Sequence, residues 1–125
     1  MLKLRFPWLW WALGSLLVAG VVGGSLIPGE YVPGFLARDK LVHAGSYGLL
    51  MLWFAGLYRR ERHLIIALAL FALGFGLDVA QSGTATRSFD LLDVAADAGG
   101  IIAAFVLARY LFAGWCQRVE QLLVP

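Results

Sequence analysis

Residues 8–27 run for 20 positions without a single charged side chain. At a helical rise of 1.5 Å per residue, such a segment crosses about 30 Å of hydrocarbon. In lipid, a lone segment of this kind satisfies its own peptide groups only as a helix. Three further predominantly apolar stretches follow, at residues 41–58, 64–82 and 91–113. The first stretch follows Lys3 and Arg5 as a signal sequence would, but it exceeds the 7–15 residue apolar core of a cleavable signal and reads as a retained transmembrane helix. The expectation is a single all-α membrane domain over residues 1–125, a four-helix transmembrane bundle.

Composition agrees, with 61% hydrophobic and 14% charged residues, far from the balance of a soluble domain. Four spans of about 20 residues leave no room for a separate aqueous domain. A formal charge of +2 is too small and scattered for a nucleic-acid surface. The lone cysteine, Cys116, has no partner for an internal disulfide, and no zinc-type Cys/His spacing occurs. Lys3, Arg5, Arg59, Arg60, Arg62, Arg109 and Arg118 fall on one face, against Arg38, Lys40 and Arg87 on the other. Such a bias predicts that both termini are cytoplasmic and that the first and third loops face outward.

Acidic residues concentrate where they are costly. Asp78, Asp90, Asp93 and Asp97 lie within one twenty-residue window, and Asp39 stands at the start of the second span. At about 100° per residue, Asp90, Asp93 and Asp97 share a wedge of roughly 60° on the fourth helix. Asp39, His43 and Tyr47 make a second stripe, at intervals of four on the second helix, and Asp78 with Gln81 a third on the third helix. All three stripes fall near the outward end. A carboxylate inside the bilayer costs on the order of 2.5–3.5 kcal/mol unless it faces protein or water, so these side chains are expected to line a shared pocket. Arg87, Lys40, Arg38 and His43 are the cations available to it, and Asp90 also fits an N-cap, with Asp93 at N3.

Small residues supply the close contacts that lipid does not drive. Ala95, Gly99 and Ala103, and also Ala96, Gly100 and Ala104, form two ladders on the fourth helix, equally suited to internal packing and to dimerisation. Ala44 with Gly48 and Gly74 with Asp78 do the same on the second and third helices, and Gly20, Gly23 and Gly24 are expected to let the first helix pack closely near its outer end. The tryptophans read as interfacial anchors or packing groups. Trp115, Val119, Leu122 and Leu123 fit either a short amphipathic surface helix or a frayed end. Tyr31 and Phe35 in the first loop suit a lid over the pocket or a place among the head groups.

These residues in this order resemble the VanZ-like family of small bacterial membrane proteins. The resemblance runs through Ser25-Leu26-Ile27-Pro28, Asp39-Lys40-x-x-His43-x-x-x-Tyr47, Gly74-x-x-x-Asp78-x-x-Gln81 and Arg87-x-x-Asp90-x-x-Asp93-x-x-x-Asp97-x-x-Gly100, covering about residues 25–104. Two positions depart from the family's habit: Asp78 stands where Glu is commoner, and Asp97 where Asn is usual. The resemblance implies a protein of the bacterial inner (cytoplasmic) membrane linked to the cell envelope and to glycopeptide resistance of the teicoplanin type.

Three functional readings follow. In the first, the outward pocket, built from Asp39, Lys40, His43, Tyr47, Asp78, Gln81, Arg87, Asp90, Asp93 and Asp97, binds the head group of a membrane lipid or of a lipid-linked cell-wall intermediate. In the second, an intramembrane hydrolase or transferase holds a divalent cation on Asp93 and Asp97, with His43 as acid or base. No nucleophile is marked in the sequence, and neither a His-Glu-x-x-His nor a Gly-x-Ser-x-Gly motif occurs. In the third, the polar groups satisfy one another and lock the helices in register.

Overall fold

The computed structural model describes residues 2–26, 40–82 and 91–124, the side chains of residues 81 and 82 excepted. These residues form five helices and no strand: α1 (Pro7–Leu26), α2 (Lys40–Ala55), α3 (Arg60–Ser82), α4 (Leu91–Tyr110) and α5 (Trp115–Leu123). Pro7 opens α1, where a missing amide hydrogen costs nothing. Three helices, α1, α3 and α4, are long and apolar enough to cross a membrane. The fourth expected span, α2, has 16 residues, or about 24 Å of helix. The expected 41–58 stretch therefore ends its helix early, at Ala55, and residues 56–58 make the turn into α3. The third helix begins four residues before the expected 64, at Arg60, because charged residues extend a helix beyond the hydrocarbon as readily as apolar ones.

The core lies between α2, α3 and α4. Tyr47, Leu50 and Met51 of α2 are buried with Leu70 of α3 and Ile101, Ala104 and Ala108 of α4. The contact between α2 and α4 is the most extensive in the molecule, and glycine makes it possible. A Cβ on Gly100 would collide with the carbonyl oxygen of Ala44, and one on Gly48 would sit 3.2 Å from the carbonyl oxygen of Gly100. Of the two ladders on α4, the one through Gly100 therefore faces α2, whereas Ala95, Gly99 and Ala103 are exposed. On α1 the expectation fails. Gly20, Gly23 and Gly24 have nothing within reach of an added Cβ, and it is the buried Gly14 that seats α1, against the rings of Trp53 and Phe54.

The opposite end of the bundle is closed by aromatic rings and one acid. Trp10, Trp53 and Trp115 come from α1, α2 and α5, with ring centroids 5.4–5.5 Å apart, each such pair contributing about 0.5–1.5 kcal/mol beyond its burial. All three indole N–H groups are used. Trp53 donates to the Trp10 carbonyl at 3.2 Å, Trp115 to the Leu52 carbonyl at 2.7 Å, and Trp10 to Glu120 at 2.7 Å. Glu120 also accepts the backbone amides of Arg5 at 2.6 Å and Phe6 at 3.0 Å, so a side chain on α5 satisfies orphan donors just ahead of α1. The C-terminal segment is thus a docked helix. Gly114 starts it with φ 67°, a left-handed turn suited to glycine. Trp115 and Val119 pack inward while Leu122 and Leu123 remain exposed. Trp8 is largely exposed, and Trp11 stacks edge-on against Phe54 and Tyr58.

Two expectations follow. Gly100→Ala should destabilise the purified protein by about 1–3 kcal/mol, the usual cost of overpacking, while Gly99→Ala should stay within about 0.5 kcal/mol; thermal unfolding in detergent measures both. At Glu120, desolvation opposes the charge, but the Arg5 and Phe6 amides, the Trp10 indole and the Arg5 charge outweigh it and hold the carboxyl below the ordinary glutamate value of 4.5. A depressed folded-state value means that this clamp stabilises above the unfolded value and is lost as the pH falls through the folded one. Acid titration followed by tryptophan fluorescence should show the clamp releasing below about pH 4.5, and Glu120→Gln should blunt that transition.

Candidate functional site

At the other end, the N-terminal turns of α2 and α4 meet the C-terminal part of α3, and the ionisable residues of all three helices converge. The four-residue spacing of His43 and Tyr47 puts both on the face of α2 that looks inward, and the spacing of Asp93 and Asp97 does the same on α4. Asp78 enters from α3 and is buried, 5% exposed.

The cluster is graded in depth. At its rim Lys40, with 39% of its side chain exposed, pairs with Asp93, at 15%. His43 lies one step in, its Nε2 3.9 Å from Asp93 and its Nδ1 3.1 Å from Asp97 Oδ1. The Asp97 side chain is 1% exposed. Its Oδ2 points to where an added Cβ on Gly74 would lie 3.0 Å away, and the Tyr47 ring fills the other side of that glycine. Gly74 is therefore part of the site, because any larger residue would push Asp97 or Tyr47 from its place. His43, Asp78 and Asp97 each bring one ligand atom within 4.8 Å of the others.

Of the ten residues expected to line a pocket, six are placed, and they meet: Lys40, His43, Tyr47, Asp78, Asp93 and Asp97. Asp39, Arg87, Asp90 and the side chain of Gln81 lie outside the described residues, as do Arg38, Tyr31 and Phe35. In the structure Asp93, expected to share a cation with Asp97, pairs with Lys40 and approaches Nε2 of His43, and the acid whose ligand atom lies with those of His43 and Asp97 is Asp78.

Chemically, the site offers a partly exposed ammonium, an imidazole fixed by a carboxylate, and two buried carboxylates. That set can hold a cation, orient a polar group at its rim or accept a proton. The second histidine is not part of it. His63 is buried at the far end, where Nε2 approaches the Ala55 carbonyl at 2.9 Å and the Tyr58 carbonyl at 3.2 Å and braces the turn between α2 and α3. An apolar groove of about 430 Å³ runs along α3 and α4, lined by leucine, isoleucine, phenylalanine and alanine only. It offers no polar group to a substrate.

The gradient in burial sets the energetics. In double-mutant cycles the half-exposed Lys40–Asp93 pair should couple by about 0.2–1 kcal/mol. Removing His43 from beside the buried Asp97 should destabilise by about 3–5 kcal/mol, since it strands a carboxylate. Unfolding of Lys40→Ala, Asp93→Ala, His43→Ala and the double variants in detergent tests this order.

The chain matches no known family model, no curated protein and no solved structure.

Proposed function

We propose that the chain is a VanZ-like integral protein of the bacterial inner membrane. It crosses the bilayer four times with both termini cytoplasmic, and its polar cluster receives the phosphate-bearing head group of a membrane lipid or lipid-linked cell-wall intermediate at the outer surface. In the envelope that binding would serve resistance to glycopeptides of the teicoplanin type. The observation that carries the reading is the graded chain from Lys40 through Asp93 and His43 to Asp97. It has a cation at the rim, where head groups reside, and its acids are kept inside.

Two further facts support the topology. The backbone just ahead of α1 is held by Glu120 of α5, so the two ends of the chain meet at one end of the bundle, as an even number of crossings requires. The excess of Lys and Arg falls at that same end, the side that positive charge marks as cytoplasmic. In this topology α2 crosses with its 16 residues, the long Lys40 side chain at its start marking the interface.

Expression in a teicoplanin-sensitive bacterium should raise the inhibitory concentration of the drug severalfold. Lys40→Ala and His43→Ala, at unchanged abundance in the membrane, should abolish the increase. Resistance that is absent with the wild type, or undiminished in both variants, contradicts the proposal.

A further inference from the structure

Asp78 and Asp97 are buried against one another, and each keeps an oxygen, Oδ2, with no hydrogen-bond partner among the described residues. An unpartnered carboxylate oxygen in a protein interior is costly, and two facing each other cannot both stay ionised without a counter-charge. The nearest ammonium does not supply it, because Lys40 is engaged by Asp93 on the rim side of His43. Among the described residues, what remains beside the two acids is one imidazole and the phenol of Tyr47, which carries no positive charge.

From this geometry we infer that His43, Asp78 and Asp97 form a binding site for one divalent transition-metal ion. The ligand atoms already lie together, all within 4.8 Å of one another. The 3.1 Å between His43 Nδ1 and Asp97 Oδ1 is close to the edge of an octahedron whose ligands stand about 2.1 Å from the metal, roughly 3.0 Å. Two carboxylates and a neutral imidazole balance a charge of two, and the mixture of one nitrogen with hard oxygens suits Mn²⁺, Fe²⁺ or Zn²⁺ better than Mg²⁺ or Ca²⁺. Gly74 leaves the space that lets Asp97 reach inward. Three protein ligands leave coordination positions open toward the partly exposed His43, where water or an anionic oxygen can complete the shell. The cation site stands apart from the proposal of head-group binding and holds whether or not a lipid binds.

The test uses the full, untagged chain, purified in detergent, stripped with a chelator and titrated with Co²⁺ in an excess of Mg²⁺. Visible ligand-field bands should saturate at one Co²⁺ per chain and vanish on addition of Zn²⁺. Asp78→Asn and Asp97→Asn should weaken Co²⁺ by about a hundredfold or more, beyond the cost of losing an outer-shell partner, and His63→Gln should leave the stoichiometry unchanged. Zn²⁺ should raise the melting temperature of the wild type and not of Asp78→Asn. If either asparagine variant fails to fold, His43→Gln, whose amide keeps a donor beside Asp97, reads the same site from its exposed side through loss of the bands. Folded wild type that takes up neither ion, or uptake undiminished in Asp78→Asn and His43→Gln, overturns the inference. So does an Asp78→Asn variant that is more stable than the wild type with and without Zn²⁺, since the two acids would then be sharing a proton.

Discussion

A carboxylate buried among packed helices has no water to turn to, so the protein must supply whatever stabilises it. Here that condition falls on Asp97, whose side chain is 1% exposed. His43 must come from α2 to meet it, Gly74 of α3 must be small enough to leave it room, and Asp78 lies beside it. Three helices are thereby fixed at one level and in one rotation. The close backbone contact between Ala44 or Gly48 and Gly100 belongs to the same arrangement, since it brings α2 near enough to α4 for an imidazole to span the gap. Packing without hydrophobic drive and pairing without solvent are two sides of one constraint.

The two ends of the bundle solve different problems. At the aromatic end, Glu120 and three tryptophans fasten the N-terminal segment and α5 together, with each indole donor satisfied. Nothing in that arrangement is left over, which is the mark of a brace. At the polar end, Lys40 and Asp93 pair at the rim, whereas in the depth the Oδ2 atoms of Asp78 and Asp97 have no hydrogen-bond partner among the described residues. A purely structural network would have little reason to retain such atoms, because an apolar pair of similar volume would be no less stable. The far end also holds one buried atom without a hydrogen-bond partner among the described residues, Nδ1 of His63, but that is a single ring nitrogen; what marks the polar end as a site is that two carboxylates are left over side by side.

Much of this was legible in the sequence, because periodicity and depth are local properties. Intervals of four place His43 with Tyr47 and Asp93 with Asp97 whatever the neighbours do, and apolar length places the helices to within a few residues. Which acid faces which depends on helix rotation, a tertiary quantity. For that reason Asp93 was expected beside Asp97 where the structure brings Asp78. The same holds for the glycines: a ladder announces close packing but not its direction, and so Gly100 was in contact while Gly99 and the expected Gly20, Gly23 and Gly24 of α1 were not. Glu120 gave no signal at all. An isolated acid in a polar tail looks solvated until the fold carries amides from 114 and 115 positions away to meet it.

The central claim is that a histidine and buried aspartates from separate helices meet inside the helix bundle. The chain has only two histidines, which makes magic-angle-spinning NMR of the wild-type protein in lipid bilayers, labelled with ¹³C and ¹⁵N, the direct measurement. The account predicts through-space correlations between one imidazole and aspartate carboxyl carbons, and between the other imidazole and backbone carbonyls and a phenylalanine ring but no carboxyl. Aspartate carboxyls that correlate with lipid chains and with neither ring would contradict it.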